Sequence, residues 1–375
     1  MPIDASPSDE AREFIARMVP DDQPIDFGNI EVVRDKYRAD FAEAGERAIV
    51  RHDLSLSEIE VGGVHCTRIV SNSGGFANGR MLYVFGGAFI VGDPYCDLPV
   101  LGALAARCRV EVIAPHYRLA PENQPPAAAD DCLDVYRALA LEGEERLLVA
   151  GESAGGNLAL LTAQMAVADG LPSPAALALL SPAVDLQTER EFFEPTFGID
   201  PSLHPVRMDG VAKAYVGGGD PADPMLSPLF GSMHGLPPTI ITTGSRDLFL
   251  SPSLRLERKM RRMGIDVDCR VWNGLFHVFE FYDEYPESAE SLAEIADFLN
   301  RHCCVARVAP TRFAGQAGAH EDRELIHSRC TRCRSLDSAH QHRRDCPVPT
   351  RRQSHGRGRW CLYRDGQSEG RTGDS

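Results

Sequence analysis

The 375-residue chain has no apolar run approaching the roughly 20 residues that a membrane-spanning helix needs. Its first ten residues, MPIDASPSDE, contain neither a basic stretch nor an apolar one, so a secretory signal is not expected. The eleven cysteines are odd in number and follow no regular spacing. That argues against a secreted disulfide scaffold and for a reducing cytoplasm. No internal repeat of about 20–50 residues is visible, which sets aside solenoids and propellers. Positive charge is scarce over residues 1–300, with 24 Lys+Arg against 46 Asp+Glu, a net of −22. Such an acidic surface makes nucleic acid an unexpected partner. With 43% hydrophobic and 25% charged residues, the chain has the composition of a globular protein long enough to bury a sizeable core.

Residues 301–375 reverse the balance. They hold 15 Arg, no Lys and 8 Asp+Glu, a net of +7, together with six of the eleven Cys and six of the twelve His. Apolar residues are few there and show no sustained period. A domain boundary is therefore placed near Arg301. His327, Cys330, Cys333 and His340, with Cys346 close by, have C-x-x-C spacing, but a second pair at zinc-module spacing is missing. The composition predicts a disordered appendage, with metal or thiol chemistry and contact with a polyanion as alternatives.

Over residues 1–300, short β-branched runs alternate with helical patterns. Met81–Phe85, Val110–Ala114, Arg146–Ala150, Ala175–Leu180 and Thr239–Thr243 suit strands buried on both faces. Between them, Asp97–Arg107, Pro126–Leu141, Ala154–Ala168 and Pro252–Met263 have helix-like patterning. This alternation predicts an α/β fold with a mostly parallel sheet and right-handed crossovers. Glu46–Asp53 and Glu58–Val70 read as an antiparallel edge ahead of the parallel part. Asp9–Val19 and Glu31–Glu43 read as helices in front of the sheet. Residues 187–220 form a long interruption of the kind that serves as a lid or binding loop.

The chemistry concentrates in RLLVAGESAGGNL, residues 146–158. Gly151-Glu152-Ser153-Ala154-Gly155 is G-x-S-x-G between a strand and an apolar helix, the context of a nucleophile elbow. A serine hydroxyl needs a base within hydrogen-bond reach and an acid to orient that base. In this architecture the order along the chain is Ser, acid, His. Asp247 follows the strand TIITT, and His277 ends the loop after VDCRVW, so both stand just past strand ends. Asp247 could instead serve only as an acid near a helix start. His52, His65, His204 and His234 read as surface or loop histidines, and His116 precedes Ser153, which removes it from the triad. Oxyanion donors are expected from Ala154, after the nucleophile, and from the loop Tyr83–Asp93, with Gly87 and Ala88 as donors and Gly86 shaping the turn.

These motifs resemble the hormone-sensitive-lipase family of α/β-hydrolases, over roughly residues 10–300. The matching stretches are FGGAF (85–89), YRLAPE (117–122), AAADD (127–131), GESAGGNL (151–158), SPAVDL (181–186), DPMLSP (223–228), GSRDLFL and FHVFEFY. The resemblance implies an eight-stranded, mostly parallel sheet with a helical cap drawn from residues 1–45 and 187–220. It implies a serine carboxylester hydrolase acting on small-molecule esters of small to medium acyl or aryl groups. Ser153, Asp247 and His277 would be the triad and Gly86, Gly87, Ala88 and Ala154 the oxyanion hole, with no metal or organic cofactor. Two positions depart from the family. Phe85 stands where the family has a His that braces the oxyanion loop by hydrogen bonding, and Glu152 replaces the more common Asp. A lactonase or deacetylase with the same triad is an alternative, as is a catalytically impaired ligand-binding hydrolase fold motivated by Phe85. Homo-oligomerisation stays open.

Overall fold

A computed structural model of the chain describes residues 6–19, 23–73, 79–143, 147–187 and 199–303. Eight strands form one sheet in the order β1-β2-β4-β3-β5-β6-β7-β8. They are β1 (Leu54–Val61), β2 (Val64–Ser71), β3 (Arg80–Val84), β4 (Glu111–Pro115), β5 (Leu147–Glu152), β6 (Ala176–Leu180), β7 (Thr239–Gly244) and β8 (Val267–Trp272). The β1–β2 and β2–β4 pairings are antiparallel and all others parallel. Strands β4 to β7 are buried at every position, which is why they read as continuous apolar runs.

The helices are α1 (Asp9–Arg17), α2 (Ile30–His52), α3 (Leu98–Cys108), α4 (Ala127–Leu141), α5 (Ser153–Ala168), α6 (Pro205–Val216), α7 (Leu250–Arg262) and α8 (Pro286–Cys303). Each strand and helix expected in the parallel part is present within a few residues of its anticipated bounds. The region expected as an antiparallel edge divides differently. Glu58–Val70 is covered by the β1–β2 hairpin, which turns at Gly62 and Gly63, both at positive φ. Glu46–Asp53 is not a strand but the end of α2. Its apparent alternation continues a helical period, because Ile30, Arg34, Tyr37, Phe41, Gly45, Ala48 and Ile49 all face inward. Asp53 stops the helix in the left-handed conformation, with φ of 49°.

Within 187–220 the described part contains α6. The last helix continues to Cys303, a buried residue just beyond the boundary expected near Arg301. The tail cluster of His327, Cys330, Cys333, His340 and Cys346 lies outside the described residues. No helix among the described residues is long and apolar enough to cross a membrane. Cys66, Cys96, Cys108, Cys132, Cys269 and Cys303 are free thiols, all buried except the half-buried Cys269. Burial pushes Cys66, Cys108 and Cys269 up to about 12 and raises Cys96 and Cys132 as well.

Arg34 ties α2 to the loops above the sheet. Its guanidinium donates to Ile90 O at 2.9 Å, to Ala120 O at 3.0 Å and to both Glu122 oxygens at 2.7 and 3.0 Å. Burial alone would disfavour this cation, but Glu122 and Glu31 outweigh it and hold the pKa up. Replacing Arg34 with Ala leaves two buried carbonyls without a donor, at a cost of roughly 2–4 kcal/mol. Arg34→Ala should therefore lower the denaturant midpoint measurably. A wild-type midpoint would show that this anchor carries no stability.

Candidate active site

The site begins at the junction of β5 and α5. Ser153 is the first residue of α5 and sits at a φ of 51°, a conformation that L-residues other than Gly and Asn rarely adopt. The turn closes because its neighbours have no side chains. A Cβ on Gly151 would lie 2.4 Å from Gly155 O, and one on Gly155 would lie 2.0 Å from Val84 O and 2.3 Å from Phe85 O. Asn157 locks the first turn of the helix, donating to Ala183 O at 2.7 Å and to Leu226 O at 2.9 Å.

His277 and Asp247 arrive from the loops after β8 and β7. His277 Nε2 lies 2.9 Å from Ser153 Oγ, and its Nδ1 lies 3.1 Å from Asp247 Oδ1. Asp247 is fully buried. Its Oδ1 accepts the Phe249 N–H at 2.8 Å and its Oδ2 the Thr243 hydroxyl at 2.8 Å. It precedes α7 and so resembles a helix-start acid, yet it also faces the imidazole. Burial pushes the Asp247 carboxyl up, but the His277 charge, with hydrogen bonds from His277, Ser181 and Phe249, brings it below the ordinary value. Burial likewise pulls His277 down, and the neighbouring Asp247 carboxylate overrides this to leave it raised above 6.5.

The loop after β3 runs beside the elbow because β3 pairs with β5, Val84 opposite Gly151. Gly87, Ala88 and Phe89 all have positive φ, at 89°, 57° and 64°. A Cβ on Gly87 would meet Val91 O at 2.2 Å, so this turn too requires glycine. Gly87, Ala88 and Ala154 line a cavity together with Ser153 and His277. Ala154 lies in the first turn of α5, where backbone N–H groups have no partner within the helix. Gly86 is turned the other way. It packs against the buried Asp97–Glu152 carboxyl pair, where a Cβ would lie 1.8 Å from Glu152 Oε1.

That carboxyl pair escaped the sequence reading. Burial pushes Asp97 up to about 7 and raises Glu152 well above its ordinary value, with the charge of Asp97 adding to the burial of Glu152. Asp97 also accepts the Tyr83 hydroxyl at 3.0 Å. Asp200 is a second unforeseen neighbour. It is buried, is raised by burial and by the charge of Asp247, and accepts the Leu248 N–H at 2.9 Å.

The Phe85 departure is compensated nearby. Phe85 stacks on Tyr117, with ring centroids 4.2 Å apart and an interplanar angle of 15°. The Tyr117 hydroxyl donates to Phe85 O at 2.9 Å and Gly86 O at 3.2 Å. The loop is thus braced by hydrogen bonds from the YRLAPE segment. Arg118 anchors that segment, donating its N–H and guanidinium to Asp131 of AAADD at 2.8–3.0 Å.

The cavity above Ser153 measures about 500 Å³. One wall comes from α2 and the segment before it, with Ile25, Val33, Tyr37 and Phe41, and another from α6 with Met208 and Val211. His204, read from sequence as an ordinary loop histidine, lies on its lining. Phe89 stacks on Tyr215 of α6 at 3.8 Å, and Arg34 of α2 binds Ile90 O, so both covering helices grip the oxyanion loop.

An esterase of Acinetobacter venetianus is 30% identical over 249 residues, covering 65% of this chain and 82% of its own. An acetyl-hydrolase of Streptomyces hygroscopicus is 32% identical over 222 residues, covering 58% of this chain and 74% of its own. The crystal structure of a hormone-sensitive lipase from a metagenome library superposes with a TM-score of 0.69 at 31% identity, covering 80% of this chain and 100% of that one. Residues 81–281 match the α/β-hydrolase fold family, and with the sheet, the elbow and these relatives the chain belongs to that family, among its hormone-sensitive-lipase-type esterases.

Proposed function

We propose that this carboxylester hydrolase cleaves esters of small to medium acyl or aryl groups through an acyl-enzyme on Ser153. The observation that carries the reading is the hydrogen-bonded series Ser153–His277–Asp247 at the start of α5, opening into a largely apolar cavity. Ser153 Oγ attacks the ester carbonyl carbon as its proton passes to His277 Nε2. Asp247 holds the proton on Nδ1, which leaves Nε2 free to act as the base, and stabilises the imidazolium that forms. Backbone N–H groups of Gly87, Ala88 and Ala154 hold the oxyanion, while Gly86 acts by shaping the loop. The tetrahedral intermediate collapses, the alkoxide leaves with the proton from Nε2, and water then repeats the sequence on the acyl-enzyme.

The cavity volume fits a small ligand, and its apolar lining suits an acyl chain or aryl ring. The acetyl-hydrolase among the relatives supports a short acyl group. The Tyr117 brace supports an active oxyanion loop over an impaired binding fold, since the argument for impairment rested on Phe85. The cap consists of the N-terminal segment with α2, together with the segment carrying α6. The described part of the hydrolase unit closes with α8, and the free thiols among the described residues support a reducing cytoplasmic setting.

A panel of p-nitrophenyl esters from acetate upward should show turnover that falls at least about 10⁴-fold in Ser153→Ala. Turnover that persists in that variant removes Ser153 as nucleophile. The base must be neutral to act, so kcat/KM should rise with pH through a His277 pKa above 6.5 and level off beyond it. Asp247→Asn removes the charge that holds this value up. The acid limb should then move to lower pH, with a loss on the order of 10⁴-fold in kcat. A wild-type limb at or below 6.5 contradicts the assigned pairing.

Tyr117→Phe keeps the stack on Phe85 and deletes both hydrogen bonds to the loop. It should lower kcat by about tenfold with KM little changed, roughly the 1.4 kcal/mol of one hydrogen bond felt in the transition state. An unchanged kcat would show that the loop holds its shape without this brace. A chain stopped after Cys303 should keep both its melting temperature and its esterase activity, and loss of both would make residues 304–375 part of the fold.

A further inference from the structure

Among the described residues, one group of side chains could hold a metal ion: Glu58, His65 and His116, whose ligand atoms all lie within 4.8 Å of one another. Strand register brings them together. Glu58 of β1 pairs with Thr67 of β2, and His65 lies two residues before Thr67 on the same face. Cys66 pairs with Pro115, so His116, just past β4, is the next cross-strand partner of His65, and its N–H donates to His65 O at 2.9 Å. The two imidazoles stack with centroids 4.6 Å apart. His65 Nε2 lies 2.9 Å and His116 Nε2 3.6 Å from the same Glu58 oxygen, Oε2.

The surrounding groups hold this arrangement. The Tyr95 hydroxyl donates to Glu58 Oε1, and the Thr67 hydroxyl lies 3.1 Å from Oε1 and 2.8 Å from His116 Nε2. A simple ion pair would engage one ring, whereas here two ring nitrogens converge on one carboxylate oxygen. At these separations two imidazoles and a carboxylate can supply three ligands of a tetrahedral site, with water as the fourth. For this the stacked rings turn their nitrogens to a common point, and His116 Nε2 exchanges the Thr67 hydroxyl for the ion. Imidazole donors select borderline transition ions over Mg²⁺ or Ca²⁺.

We propose that Glu58, His65 and His116 bind a divalent transition ion of the Zn²⁺ type, fastening the β1–β2 hairpin to the end of β4. The ion would sit one residue from Tyr117, whose hydroxyl braces the oxyanion loop. It takes no part in the ester cleavage, which uses other atoms.

The test is calorimetric titration of Zn²⁺ into the full-length chain, after chelator treatment, for wild type, His65→Ala and Glu58→Gln. His65 is a largely exposed ring and Glu58 is exposed, so circular dichroism should report folded variants. The wild type should bind one equivalent more than either variant, or bind it more than about tenfold tighter, since one of only three protein ligands is lost. Co²⁺ in that equivalent should show d–d absorption without the intense thiolate charge-transfer band, which separates it from cysteine sites. Metal-free His65→Ala should keep wild-type esterase activity. Equal stoichiometry and affinity in all three proteins, no Zn²⁺ uptake by the wild type, or a thiolate band on the lost equivalent would each overturn the assignment.

Discussion

The rest of the site depends on one steric requirement, that the chain reverse from β5 into α5 within a single residue. The turn places Ser153 at positive φ and lets the α5 backbone come within touching distance of β3. The two carbonyls that a Cβ on Gly155 would strike, Val84 O and Phe85 O, belong to the strand that leads into the oxyanion loop. The contact that permits the elbow therefore also sets the distance between Ser153 and the loop proposed to hold the oxyanion. A larger residue at either glycine would alter both at once, so the two halves of the chemistry share one geometric cause.

Electrostatics adds a second selection. Buried carboxyl groups of and near the site include Asp97, Glu152, Asp200, Asp247 and Glu280. Burial raises four of them, and only Asp247 is lowered, because only Asp247 makes a direct bond to the imidazole. Burial thus draws these four towards their neutral forms, whereas Asp247 keeps its charge facing the imidazole. Three of them accept hydrogen bonds from their surroundings, Asp97 from Tyr83, Asp200 from the Leu248 N–H and Glu280 from Thr242 and Ser291.

The sequence was most legible where structure follows from local pattern. Apolar runs marked the buried parallel strands, and the strand–turn–helix context of Ser153 marked the elbow. Chain order then left Asp247 and His277 as partners, and the structure brings all three together. The end of α2 was misread because Glu46–Asp53, seen alone, fits a period of two as well as one of 3.6, and only the packing of Arg34, Gly45 and Ala48 distinguishes them. Tyr117, Asp97 and Asp200 were missed for another reason. Each acts through contacts across tens of residues, and nothing in its own neighbourhood signals which backbone it will meet. The Glu58–His65–His116 group is similar, since its members converge only through the register of three strands. A paired reading of β1 and β2 could have put Glu58 and Thr67 on one face, but not the arrival of His116.

The free thiols of the described residues have a consequence for how the protein meets its surroundings. A cysteine is attacked by peroxides, disulfides and electrophiles as its thiolate, and burial keeps Cys66, Cys96, Cys108, Cys132 and Cys269 protonated far above neutral pH. Their sulfur serves as small apolar packing rather than as a reactive group. The proposed nucleophile is an oxygen, Ser153 Oγ, paired with an imidazole and not with a thiolate.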